Sequence, residues 1–152
     1  MLSINSIKEE FENLKKNQKL GSIGCTVALF NESNYYKWKA SYIGPKNTAY
    51  EHSFLELEIN IPQNYPYSAP SVHFITKIFH PNVSSSDGKV CIQSINRWKP
   101  EYNIMTILFS IYILLIKPNP DDPLNSEAAK IYKEDKMKFK QEVKKFINLK
   151  FK

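Results

Sequence analysis

The stretch FHPNVSSSDGKVCIQ, residues 79–93, holds Cys91, one of the chain's two cysteines, with His80, Pro81 and Asn82 before it and an Asp87-Gly88 turn between. A cysteine in such a setting has three readings. It is a thiolate nucleophile, a metal ligand, or a small apolar residue buried in the core. The spacing is wrong for zinc, because the chain has no C-x-x-C pair and no H-x-x-x-H; no metal ligands are assigned. No Cys-His-Asp arrangement is visible, so hydrolase chemistry has no support. Cys25 is different: it opens CTVALF, where Cys25, Val27 and Leu29 share the apolar face of a strand, and an inert buried thiol is expected there.

The elements that must position Cys91 follow from periodicity. Ile4, Ile7, Phe11 and Leu14 lie on one face of an N-terminal helix, with Ser3 as its cap or Ser6 and Glu9 as a competing capping box. Four strand-like segments follow. CTVALF and YKWKASY alternate, FLELEINI alternates most clearly, and SVHFI points Val72 and Phe74 inward. Gly44-Pro45 and the proline-rich IPQNYPYSAP punctuate them. Strands this close, with no helix between them, predict an antiparallel meander. Residues 78–102 show no regular period, and a loop that long inside a compact domain is usually functional. Helices are expected at about 103–116, 125–133 and 135–149. The plan is α+β: helix, four-stranded antiparallel meander, long loop, C-terminal helices.

Bulk properties narrow the class. A chain of 152 residues with 42% hydrophobic and 13% aromatic content suits one domain, residues 1–152, with a real core. Two distant cysteines make no secreted disulfide framework, so a reducing compartment is expected. MLSINSIKEEF is acidic by its ninth residue and has no apolar signal region. The net charge of +6 comes almost wholly from lysine, and Arg97 is the only arginine; arginine is the preferred phosphate and base reader, so no nucleic-acid partner is expected. The run IMTILFSIYILLI, residues 104–116, is too short to cross a bilayer and stops at Lys117-Pro118, so no membrane partner is expected either.

Four motifs in order identify a resemblance. FHPN (79–82), DGKVCI (87–92), RWKP (97–100) and KPNPDDPLNSEAA (117–129) occur in the order and nearly the spacing of the ubiquitin-conjugating enzymes. YIGPKNTAYEHSFLELEINIPQNYPYSAP (42–70) is similar to the preceding region of that family. The resemblance covers about residues 3–147 and implies the family's fold. It implies a transferase whose Cys91 takes ubiquitin, or a ubiquitin-like protein, from an activating enzyme as a thioester. A substrate lysine, usually presented by a RING-type or HECT-type ligase, then attacks. Sulfur suits both steps as nucleophile and leaving group.

The same resemblance implies roles residue by residue. Asn82 supports its own loop, the oxyanion of the transfer step, or both. His80 and Pro81 are structural members of the active-site loop, and His80 is not a base. Asp122 is the acidic group that positions the incoming lysine; the competing role for Asp121 and Asp122 is to cap the next helix or close a turn. Pro66, Tyr67, Trp98 and Pro100, with the first helix, are expected to contact ligases and the activating enzyme; Trp98 equally suits core packing. Phe109 and Ile113 are expected on the face of the 103–116 helix that clasps the donor, although an ordinary core stripe has the same spacing. The implied enzyme has no cofactor of its own, since ATP is consumed by the activating enzyme. It is expected to be monomeric and to work in the cytoplasm, the nucleus or both.

Some positions depart from the family pattern. The segment from Cys91 to Trp98 is one residue short, Gln93 replaces an acidic residue, and Ser84 replaces an aromatic. Reactivity toward free lysine is therefore expected to be low without a ligase. His52-Ser53 replaces a Gly-Gly, again one residue short, and Glu101 stands where a small residue commonly contacts RING ligases. Helix 1 mixes glutamates with lysines and is less uniformly basic than in many relatives. WKP and PLNSEAA are similar to the branch that conjugates a Nedd-type protein, but only two or three residues precede the first helix, where that branch carries an extension. Ubiquitin is the expected donor, with a Nedd-type donor or a catalytically weak scaffold as alternatives.

Overall fold

The computed structural model describes residues 4–147, with side chains from Ser6 onward. The first helix, α1, spans Ile4–Lys15 and buries Ile7, Phe11 and Leu14. The side chain of Ile4 and the Ser3 cap lie outside the described residues. Ser6 sits inside the helix and not at its start, so the Ser6–Glu9 capping box does not form. A short helix not legible in the sequence, α2 (Gln18–Ser22), follows. The Asn17 side chain caps it by accepting the Leu20 N–H at 3.0 Å.

The sheet is the expected antiparallel meander in the order β1 (Cys25–Leu29), β2 (Lys37–Ile43), β3 (Phe54–Asn60) and β4 (Ser71–Phe74). The register pairs Val27 with Ala40, Ala40 with Leu57 and Leu57 with Phe74. Alternation does the rest. Cys25, Val27, Trp38, Ala40, Tyr42, Leu55, Leu57, Ile59, Val72 and Phe74 all face one side and are buried. The other side carries cross-strand ion pairs, Lys37–Glu58 and Lys39–Glu56, each at 3.4 Å. At the β2–β3 connection Gly44 is a steric necessity: a Cβ there would lie 1.7 Å from the Tyr50 carbonyl oxygen.

The long loop contains α3 (Gln93–Asn96), after which come α4 (Ile104–Ile116), α5 (Ser126–Glu134) and α6 (Lys136–Lys145). Asn103 caps α4 in a reciprocal box with Thr106. Ile104, Ile107, Leu108, Ile111 and Leu115 bury the stripe of α4 that faces the core. The Tyr42 hydroxyl donates to the Leu108 carbonyl, pinning α4 to the sheet. Among the described residues no helix is long and apolar enough to cross a membrane.

Glu10 joins three elements. Its carboxylate accepts the Tyr65 hydroxyl at 2.9 Å and the Ile104 N–H at 2.9 Å, so α1, the loop after β3 and the start of α4 meet there. The second of these satisfies one of the four N–H groups that a helix start leaves unpaired.

Candidate active site

Cys91 is brought beside Asn82 by a tight turn. The Cys91 N–H donates to the Asn82 carbonyl at 2.9 Å, and the Ser84 N–H to the Lys89 carbonyl at 2.8 Å. Asp87 accepts the Lys89 N–H at 3.0 Å, and Gly88 takes the left-handed φ of 78° that the turn requires. The Asp-Gly pair thus folds the strand of residues back on itself and sets the cysteine against the His-Pro-Asn segment.

That segment is buried and fully bonded. His80 is 1% exposed. Its Nδ1 accepts the Asn82 N–H at 2.9 Å, which fixes the proton on Nε2, and Nε2 donates to the Leu114 carbonyl at 2.8 Å. Leu114 lies in the last turn of α4, whose carbonyls lack helical partners. Burial pushes the His80 imidazole down to about 4, the Leu114 bond offsetting part of this, so the ring is neutral and committed to structure. Pro81 is buried, and its carbonyl accepts the Leu124 and Asn125 N–H groups at 2.8 and 3.0 Å. Those bonds anchor the start of α5, which Asn125 caps by accepting the Ala128 N–H at 3.0 Å. Neither Asp121 nor Asp122 caps that helix.

The Asn82 side chain is 2% exposed. Its oxygen accepts the Asn119 N–H at 2.8 Å. Its amide nitrogen donates to the Asn119 carbonyl at 2.8 Å and the Asp122 carbonyl at 3.2 Å. Both N–H bonds of the amide are therefore spent on backbone, holding the 119–122 segment over the cysteine loop.

Cys91 lines an open cleft of about 250 Å³ together with Asn82, Gln93, Asn96, Ile113 and Asp122. Its thiol is half-buried, while Cys25 is 2% exposed and burial pushes the Cys25 thiol up to about 12. Asp122 and Asp121 part ways here: Asp122 lines the cleft, whereas Asp121 pairs with Lys133 of α5 at 2.9 Å. Ile113, 57% exposed, borders the cleft from α4; Phe109, one turn earlier, is half-buried and not part of it. Among the described residues no group of three His, Cys, Asp or Glu side chains is placed to hold a metal ion.

The contact candidates gather around the loop after β3. The Trp98 indole donates to the Pro66 carbonyl at 2.6 Å and packs between the Tyr65 and Tyr102 rings, at 6.0 and 5.6 Å. Trp98 and Pro66 are half-buried, and Tyr67 and Pro100 project into solvent beside them. With Glu10 bonded to Tyr65, this ensemble is continuous with α1.

Two positions that the structure brings to the site escaped the sequence. Asn119 completes the exchange of bonds with Asn82, and only its place between the prolines of KPNPDD hinted at a turn. Asn96 donates its side-chain N–H to the Cys91 sulfur at 3.3 Å. A four-residue helix is too short to leave a periodic signal, so nothing in the sequence pointed Asn96 back at the cysteine.

Comparisons with known proteins agree with this architecture. The family described as ubiquitin-conjugating enzyme matches residues 6–147. Ubiquitin conjugating enzyme E2 B of Dictyostelium discoideum is 38% identical over 120 residues, covering 79% of this chain and 80% of its own length. Ubiquitin-conjugating enzyme E2 K of Bos taurus is 36% identical over 141 residues, covering 92% of this chain and 70% of its own. The solved E2 domain of a Toxoplasma gondii ubiquitin conjugating enzyme superposes with a TM-score of 0.84 at 32% identity, over 99% of this chain and 100% of that domain. With a buried His-Pro-Asn loop, an open cysteine cleft and this similarity along nearly its whole length, the chain belongs to the ubiquitin-conjugating enzyme family.

Proposed function

We propose that the chain, as one catalytic domain, carries ubiquitin as a thioester on Cys91 and passes it to a substrate lysine, usually with a RING-type or HECT-type ligase. The observation that carries this reading is the contrast between the two sulfurs. Cys91 is half-buried at an open cleft beside the carboxylate-bearing Asp122, and Cys25 is sealed in the core.

In the first step the Cys91 thiolate attacks the thioester carbonyl that the activating enzyme presents. A new C–S bond forms, the old one breaks, and the activating enzyme's cysteine departs as thiolate. In the second step the lysine nitrogen attacks the Cys91 thioester, an amide forms, the amine gives up its protons to solvent or a nearby base, and Cys91 leaves as thiolate. Asp122 orients the incoming ammonium and eases its deprotonation. Asn82 serves by holding the 119–122 segment in place, and donating to the oxyanion would cost it one of its two backbone bonds. Ile113, with Phe109 behind it, meets the donor; Tyr67 and Pro100, seated on Pro66 and Trp98, meet the ligase and activating enzyme. The domain acts as a monomer in the cytoplasm or nucleus and holds no cofactor, the ATP being consumed by its activating partner.

A loading assay tests the proposal. The protein is mixed with ubiquitin, an activating enzyme and ATP, with a Nedd-type donor and its own activating enzyme in parallel. An adduct that reductant removes is expected, absent in Cys91→Ala and retained in Cys25→Ser. No adduct with either donor from folded protein would overturn it in favour of a scaffold.

A further inference from the structure

We infer that Asn96 is a further catalytic residue: its side-chain amide donates a hydrogen bond to the Cys91 sulfur whenever that sulfur carries charge. The inference rests on the thioester reading for its purpose, and on geometry for its substance. The Asn96 amide nitrogen is 3.3 Å from Cys91 Sγ. The donor is preorganised by α3, in which the Asn96 N–H bonds the Ile92 carbonyl at 3.0 Å and the Arg97 N–H bonds the Gln93 carbonyl at 2.8 Å. This short turn, in the segment between Cys91 and Trp98, curls the fifth residue after the cysteine back onto it. Asn82, Gln93 and Asn119 bring further side-chain amides to the cleft, and Asn82 has both N–H bonds committed to the Asn119 and Asp122 carbonyls. Asn96 is thus the amide whose donor already rests on the reacting atom.

Sulfur is negative twice in the cycle, as the attacking thiolate before loading and as the leaving group during transfer. A hydrogen bond to an ionised acceptor is about twice as strong as a neutral one, so the same amide favours the charged sulfur at both points. No proton moves in this step: the Asn96 N–H remains on nitrogen throughout.

The test is alkylation of Cys91 by iodoacetamide, read by intact-mass spectrometry in a Cys25→Ser background. It needs no ubiquitin and no partner. At pH 7, N96A is expected to react about two- to five-fold more slowly than the parent, and N96D more slowly still, because a carboxylate repels the thiolate it replaces the amide beside. At pH 10, where thiols ionise without help, the difference is expected to vanish or invert, since a thiolate relieved of a hydrogen bond is the stronger nucleophile. Asn96 is exposed, and unchanged melting temperatures will show that both variants fold. Alkylation at the parent's rate in both variants at pH 7 would overturn the inference. Slower alkylation together with no adduct of the parent with either donor would uphold the Asn96 contact and overturn the thioester function instead.

Discussion

At the scale of single residues the site separates groups by what their environment leaves free. Every polar atom of the His80 and Asn82 side chains is bonded to the loop, to α4 or to the 119–122 segment, which leaves His80 structural, as its sequence reading has it, and Asn82 with no free donor. Asp122 lines the cleft while its backbone carbonyl takes the bond from Asn82. A carboxylate assists an attacking lysine most where the amine is protonated, because a free amine needs no help. The ordinary lysine pKa is about 10.4. Asp122→Ala is therefore expected to slow discharge of loaded Cys91 to lysine by roughly 100-fold near pH 7, the lower end of a general-base effect, and to matter little above pH 10. Single-turnover discharge across that range checks it; an equal loss at every pH would remove the role.

At the scale of elements, the strains and ties lie at the connections. His52, in the turn between β2 and β3, sits at a left-handed φ of 73° and its side chain is 89% exposed. Its Nε2 lies 3.7 Å from a Glu51 carboxylate oxygen, and so exposed a pair contributes little against that conformation. His52→Gly is expected to stabilise the fold by about 0.5–1 kcal/mol, a rise of roughly 2–4 °C per kcal/mol in melting temperature. Scanning calorimetry reads it, and a lower melting temperature would show that the histidine holds the turn. Glu10 ties α1 to the Tyr65 loop and α4. Removing it by Glu10→Ala strands the Ile104 N–H at a cost of about 1–3 kcal/mol. Glu10→Gln keeps an acceptor and removes the charge. Burial raises the Glu10 carboxyl above its ordinary value, outweighing the Ile104 and Tyr65 bonds. The folded state therefore holds that proton more tightly, and the contribution of Glu10 falls as pH rises through its folded value. Glu10→Gln is expected to gain stability relative to the parent from pH 4 to pH 7, measured as the change in melting temperature at each pH; a gain in the opposite direction would refute it.

One group that couples the stability of the whole molecule to pH is His80, which sits where the His-Pro-Asn loop, α4 and the buried Tyr50 ring meet, the two rings stacked at 5.5 Å. Its folded value of about 4 lies below the ordinary 6.5, so the unfolded chain binds the proton more readily. The stability this provides is complete above pH 6.5 and is lost as pH falls toward 4, amounting to roughly 3 kcal/mol. His80 is expected to lower the melting temperature across that window, with Glu10 acting in the opposite direction. Imidazole resonances of His80 that do not titrate between pH 7 and 5 would confirm the cause; titration near 6.5 would exclude it.

Periodicity and composition determined most of the architecture. Alternation in FLELEINI and its neighbours required a sheet buried on one face, short connections required an antiparallel meander, and the ordered motifs around Cys91 indicated the family. Local signals of that kind survive because each depends on residues close in the chain. What tertiary structure alone decided is which groups remain available. The pairing of Asn82 with Asn119 and Asp122, the division of labour between Asp121 and Asp122, and the return of Asn96 to Cys91 arise from backbone meeting side chain across the fold or within a single short turn. Hydrogen-bond saturation is a property of such encounters and has no period along a sequence.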